Sequence, residues 1–174
     1  YFLGKDKGEK QYIRSVTTLV LAILGFIWIL LLIWSADLVQ LSFWGFTFFG
    51  KQYWTAATIV PIIGLAYIFH AAYLLQLPGL YLLEKSGWIP WIRGLGALSN
   101  ILLNFLFIPT HGIIGAATAT CLSFILMAVF LFFINQRIFP VHYNWYKLFI
   151  IFFTIMVVFL IQHKLELTSM EKSL

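Results

Sequence analysis

Residues 94–136 read GLGALSNILLNFLFIPTHGIIGAATATCLSFILMAVFLFFINQ, and they are the most informative part of the sequence for the fold. This stretch contains no Asp, Glu, Lys or Arg. About 20 apolar residues cross the hydrocarbon core of a bilayer as a helix, so this stretch is long enough for two membrane spans. Its turn signal is Pro109-Thr110-His111-Gly112. The sequence therefore predicts an antiparallel hairpin of two helices, with spans over about 91–108 and 113–134.

Other apolar stretches predict three more spans. Residues 15–36 and 52–83 also lack charged side chains, and they predict spans over about 15–34 and 53–75. Prolines near both ends of the second of these predict a kinked helix that continues toward Leu83. A shorter fifth span is predicted over 147–163. We therefore expect an all-α, polytopic membrane helix bundle with about five transmembrane helices.

The composition excludes most other classes of protein. Hydrophobic residues make up 62% of the 174 residues and charged residues 10%, whereas a soluble domain carries about a quarter charged residues. Disorder and a nucleic-acid-binding module are excluded, and the single cysteine, Cys121, excludes an intramolecular disulfide. We find no catalytic motif and no metal-ligand spacing. The prediction is a protein that is not an enzyme and uses no metal or cofactor.

The distribution of basic residues predicts the orientation. If the first span starts inside the cell, inner segments hold eight Lys and Arg residues and outer segments hold three. The amino terminus is thus predicted to be cytoplasmic. Five spans would then place the carboxyl terminus outside, and we expect the chain to be a fragment of a longer protein.

Two basic side chains are candidates for substrate binding. His70 lies past the middle of the second span, with Tyr67 and Tyr73 three residues away on either side. Polar residues inside spans tend to face other helices or a water-filled cavity, so His70 is either a cavity-facing cation or a hydrogen-bonding partner for a neighbouring helix. Arg93 opens the third span at the cytoplasmic side. It could attract a phosphate, or it could serve only to set the topology.

A second group of residues is predicted to pack helices together. Asn100 and Asn104 are four residues apart, share one helix face and can bond across to a neighbour. Small residues recur at four-residue spacing at the start of the fourth span, which lets helix backbones approach closely. These residues are Gly112, Ala116 and Thr120 in one row and Gly115 and Ala119 in the parallel row.

Two segments of the sequence resemble a known family. Residues 100–120, NILLNFLFIPTHGIIGAATAT, resemble a recurrent segment of bacterial polysaccharide transporters, and residues 49–57, FGKQYWTAA, are similar to the opening of the family's preceding helix. These are the O-antigen and capsule repeat-unit flippases of the multidrug/oligosaccharidyl-lipid/polysaccharide superfamily. The resemblance extends from about Leu3 to Phe139, and its most specific part is Gly-Ala-Ala-x-Ala-Thr.

The resemblance implies a function in the bacterial inner membrane. Family members are two-lobed bundles of about 12–14 helices that flip polyprenyl-pyrophosphate-linked oligosaccharides between leaflets by alternating access. This chain would be the later part of the second lobe. Its partners would be the lipid-linked glycan, the bilayer and the remainder of the transporter, with no nucleic acid. His70 and Arg93 are the candidate residues for binding the pyrophosphate.

Other functions remain open at the level of sequence. A multidrug cation antiporter of the same superfamily would want a carboxylate inside a span, and none lies in a span core. A membrane-embedded glycan polymerase or ligase would typically carry a large outer loop, whereas the longest outer connector here is residues 37–52. A helper subunit without transport activity is the fourth possibility.

Overall fold

The residues that the structure describes are all-α apart from one very short pair of strands. The computed structural model describes residues 2–43, 46–47, 49–141, 146, 149–150, 153–154, 157 and 161. Two-residue strands pair antiparallel in the connector after the first helix, and a 3-10 helix follows them. In chain order the elements are α1 (Phe2–Val39), β1 (Ser42–Phe43), β2 (Phe46–Thr47), the 3-10 helix (Lys51–Thr58), α2 (Val60–Leu74), α3 (Leu77–Leu82) and α4 (Trp88–Ile138).

Within the described part of the chain, three apolar helical segments are long enough to cross a membrane. They cover Lys10–Val39, Val60–Leu82 and Trp88–Ile138. Large apolar side chains point outward along them, and Phe105, for example, is 77% exposed. Contiguous apolar surface of this kind is unstable in water and favourable against lipid. The chain is therefore a multi-pass membrane protein.

The long helix α4 is two helices joined at Gly112. This residue has φ 56° and ψ −129°, which is not a helical conformation, and glycine adopts it without the steric cost that a Cβ would add. The Asn100 amide donates to the Thr120 hydroxyl at 3.4 Å, although the two residues are 20 positions apart. A continuous helix would separate them by about 30 Å. The two arms, residues 88–111 and 113–138, therefore lie side by side and antiparallel.

The second span is a pair of helices with a break between them. Both helices carry a proline in their first turn, Pro61 in α2 and Pro78 in α3, because proline fits there, where its missing N–H is not needed. The segment predicted to open this span at Tyr53 is instead part of the 3-10 helix. The break lies at residues 75–76, between the two helices.

Helix α2 lies between α1 and α4. The Trp28 indole nitrogen donates to the Pro61 carbonyl at 2.6 Å, and a Cβ on Gly64 would lie 2.7 Å from the Trp28 ring. The glycine thus provides the space into which the indole packs. On the other side of α2, the buried core joins Tyr73 to residues of both arms of α4. Its members include Leu80, Ile92, Met127 and Leu131.

The first helix is longer than its predicted span. The polar residues that precede Ser15 continue α1 toward the amino terminus, and the helix ends at Val39. The Lys10 ammonium lies 4.6 Å above the Phe139 ring, so the start of α1 meets the segment after α4. The fifth predicted span, 147–163, lies largely outside the described residues.

Candidate functional site

His70 packs among aromatic rings between α2 and the second arm of α4. Its ring lies 4.5 Å from the Phe124 ring and 5.9 Å from the Tyr73 ring, centre to centre, and it stacks on the latter. Tyr67 meets it edge-on at 6.3 Å. The Nδ1 atom is buried and has no hydrogen-bond partner among the residues that the structure describes. A polar nitrogen in that state is costly in an apolar environment.

Arg93 approaches the same tyrosine from the first arm of α4. Its Nε donates to the Tyr73 hydroxyl at 3.4 Å, and its side chain is exposed. Tyr73 itself is fully buried. The fold therefore gathers His70, Tyr73 and Arg93 into one cluster, which we call the Tyr73 cluster. It holds one exposed guanidinium beside one imidazole.

The chemistry of the Tyr73 cluster suits an anion. A guanidinium offers five N–H donors in a planar fork that matches phosphate or carboxylate oxygens, and one bond to Tyr73 leaves other donors of Arg93 available. Tyr73 orients that fork. The imidazole can donate a hydrogen bond from one of its ring nitrogens. Among the described residues no group of three or more His, Cys, Asp or Glu side chains could hold a metal ion.

The predicted packing residues line the inside of the α4 hairpin. Asn104 donates to the Asn100 side-chain oxygen at 3.0 Å, Asn100 donates to Thr120, and Thr120 donates to the Ala116 carbonyl at 3.0 Å. These bonds form a connected hydrogen-bond network that links the two arms. The Asn104 oxygen is buried and has no partner within the described part of the chain.

Close approach of the hairpin arms depends on a glycine. A Cβ on Gly115 would overlap the backbone carbonyl of Phe107, which belongs to the opposite arm. Gly115 is buried, and so is Ala119 one turn later. Gly112 makes the turn itself, with open space around its Cα. Gly115 therefore lies where the two arms approach each other closely.

A buried pair of amides joins the α2–α3 break to the end of α4. The Asn135 side chain donates to the Gln76 backbone carbonyl at 2.8 Å. The Gln76 side chain donates to the Ala72 carbonyl at 2.9 Å and to the Ala128 carbonyl at 3.3 Å. Both amide side chains are more than nine-tenths buried. The pair stabilises the break.

An apolar groove of about 390 Å³ lies between α1 and the α2–α3 break. One wall comes from α1 and the other from residues around Pro78. Its lining is almost wholly apolar, although Thr17 contributes a buried hydroxyl with no partner among the described residues. The lining residues are Gly8, Tyr12, Ile13, Val16, Thr17, Leu75, Pro78 and Leu82.

The sequence identifies His70 and Arg93 as candidates but not the residue that connects them. It marks Tyr73 only as a neighbour of His70, and it gives no signal for Phe124. The contact of Tyr73 with Arg93 depends on the register of α2 against α4, which no local pattern encodes. An aromatic residue one turn from an intramembrane histidine is the signal that could have identified Tyr73.

Comparison with other proteins yields no match. No protein-family model, no curated protein and no solved structure matches this chain.

Proposed function

We propose that this chain is part of a transporter that flips lipid-linked oligosaccharide or polysaccharide repeat units across the bacterial inner membrane by alternating access. The observation that carries the proposal is the Tyr73 cluster. Two basic side chains from different helices, His70 and Arg93, contact one buried tyrosine within a multi-pass membrane protein. An anionic group that crosses the membrane needs such a site.

The chemistry of the substrate fits this arrangement. A sugar and a pyrophosphate cannot cross hydrocarbon unaided, because they would lose their hydrogen bonds to water. In the proposal, the Arg93 fork binds pyrophosphate oxygens and His70 supplies a further donor. The polyprenyl tail needs no polar path and stays in contact with lipid.

The proposal also extends to the parts of the transporter around this chain. In it, the described helices form the later part of one lobe in a two-lobed bundle of about 12–14 helices, and five spans come from this chain. The amino terminus is cytoplasmic, as the excess of inner Lys and Arg predicts. The hairpin turn at Gly112 then faces the periplasm, and Arg93 lies toward the cytoplasm.

The experiment is deletion of the gene for the full-length protein, followed by assignment of the leaflet in which the lipid-linked oligosaccharide accumulates. Accumulation in the cytoplasmic leaflet with loss of surface glycan supports the flippase. Accumulation of unpolymerised or unligated units in the outer leaflet would instead indicate a polymerase or ligase. Unchanged glycan with new sensitivity to cationic dyes would indicate the drug antiporter.

A further inference from the structure

The turn between α3 and α4 borders an open cleft at the membrane surface. The turn covers residues 83–87 and lies directly between two candidate spans, which end at Leu82 and begin at Trp88. Its position therefore coincides with the level of lipid headgroups. The cleft has a volume of about 470 Å³, and its lining is about equally polar and apolar. The lining residues are Glu84, Lys85, Gly87, Trp88 and Trp91.

Glu84 occupies a backbone position that normally favours glycine. The Lys85 amide donates to the Leu80 carbonyl at 2.8 Å and the Glu84 amide donates to the Tyr81 carbonyl at 3.1 Å. These two bonds form the Schellman motif that ends many helices, and Glu84 stands at its left-handed residue, with φ 56°. Glutamate is uncommon there, since its Cβ makes this conformation unfavourable. The local fold does not need this carboxylate.

The cleft carries one charge of each sign, and these charges do not neutralise each other. Glu84 and Lys85 are both exposed, and neither forms an ion pair with another residue in the described part of the chain. An anionic ligand would be repelled by the carboxylate, and a cationic ligand by the ammonium. A ligand that carries both charges satisfies both side chains.

Two indole rings complete the cleft. Trp88 is 46% exposed and Trp91 is 77% exposed, and both lie in the first turn of α4 or just beyond it. Indoles prefer the headgroup region, and their faces attract ammonium groups. The positive end of a zwitterion thus has two kinds of partner here, a carboxylate and the indole faces.

We propose that this cleft binds the zwitterionic headgroup of phosphatidylethanolamine. Its primary ammonium donates hydrogen bonds to the Glu84 carboxylate and lies against the indole rings. Its phosphate binds the Lys85 ammonium. Phosphatidylcholine carries the same charges, but its quaternary ammonium has no N–H group to donate to Glu84. The cleft therefore prefers the ethanolamine headgroup over choline, and either of them over an anionic glycerol headgroup.

The test is lipid competition with the full-length protein, measured by native mass spectrometry. Phosphatidylethanolamine, phosphatidylcholine and phosphatidylglycerol with identical acyl chains are supplied in equal amounts, and the retained lipids are counted. We expect the wild type to retain phosphatidylethanolamine severalfold over phosphatidylcholine. Glu84→Gly should bring the two to parity while unfolding at the same or a higher temperature, because glycine suits the left-handed position.

Two further variants test whether the lipid preference depends on the Glu84 carboxylate. Glu84→Gln keeps the size of the side chain and one acceptor oxygen but removes the charge, and should weaken the preference for ethanolamine over choline less than Glu84→Gly does. Asp37→Asn removes another exposed carboxylate near the end of a span and should leave the preference unchanged. Equal retention of the two zwitterionic lipids by the wild type would overturn the proposal. So would a preference that persists in Glu84→Gly, or a wild-type preference for phosphatidylglycerol.

Discussion

The Asn135 side-chain amide donates a hydrogen bond to the backbone carbonyl of Gln76 at 2.8 Å, across 59 positions of sequence. Gln76 lies between α2 and α3, where the helical hydrogen-bond ladder is interrupted. Gln76 is the residue that precedes the first turn of α3, so its carbonyl also accepts the first hydrogen bond of that helix. The amide of Asn135, from the last turns of α4, is a second donor to the same carbonyl. A broken span is thereby stabilised by a helix distant in sequence.

Removing this amide should destabilise the fold. We expect Asn135→Ala to lower the free energy of unfolding by about 1 kcal/mol, since the hydrogen bond that joins α4 to the break is lost. Thermal unfolding in detergent measures the change. Gln136→Ala is the matched control, because its amide also bonds a backbone carbonyl, but only that of Val141 five residues away. Equal unfolding temperatures for both variants would contradict the role given to Asn135.

The second stability prediction concerns Trp28, which joins α1 to α2. Trp28→Phe keeps most of the ring but removes the N–H that bonds the Pro61 carbonyl, and should cost about 1 kcal/mol of stability. Trp34→Phe is the control on the same helix, since Trp34 is 51% exposed. Chemical denaturation in detergent compares the two. A loss of stability at Trp34 as large as that at Trp28 would count against the α1–α2 contact.

Close packing in the α4 hairpin predicts a change in protein abundance. Gly115→Leu places a side chain against the Phe107 carbonyl, a backbone atom that cannot move aside without separating the arms. We expect membrane abundance, measured by immunoblot, to fall severalfold, as instability of a few kcal/mol does in cells. Gly94→Ala is the control, because nothing lies within 4 Å of its added Cβ. Normal abundance of Gly115→Leu would refute the close-packing interpretation.

The Tyr73 cluster predicts a transport defect without a folding defect. His70→Ala in the full-length protein should reduce glycan export about tenfold at unchanged protein levels, the effect of losing about 1.4 kcal/mol of binding to the transported group. Surface glycan normalised to protein abundance is the measurement. Tyr73→Phe tests whether the Tyr73 hydroxyl positions Arg93 for transport, since this variant keeps the ring and removes the hydroxyl. Full export by His70→Ala at equal abundance would remove His70 from the site.

Much of the helical architecture follows from one-dimensional patterns. Stretches of sequence without charged side chains predict the long apolar helices. The segment Pro109 to Gly112 predicts a turn, and the structure places that turn at Gly112. The start of the second span was harder to predict. Tyr53 continues an apolar run, but Pro61 sets the first turn of α2, and the preceding residues form a 3-10 helix instead.

The side-chain contacts between helices are not predictable from such sequence patterns. The Arg93–Tyr73 bond and the Asn135–Gln76 bond join different helices, so they depend on how the helices rotate and slide against one another. Hydropathy specifies which helices are buried in lipid, but it does not specify that register. The left-handed conformation of Glu84 is also not predictable from sequence, because it arises from the way α3 ends and not from the residue type.

The most direct test of the proposed function is flipping by the purified full-length protein in proteoliposomes. A polyprenyl-pyrophosphate-linked oligosaccharide is placed in one leaflet, and its arrival in the other is followed by cleavage with an added glycosidase. We predict flipping by the wild type, about a tenfold reduction for Arg93→Gln and partial activity for Arg93→Lys, which keeps the charge without the fork. No flipping by the wild type, or equal flipping by Arg93→Gln, would contradict the account.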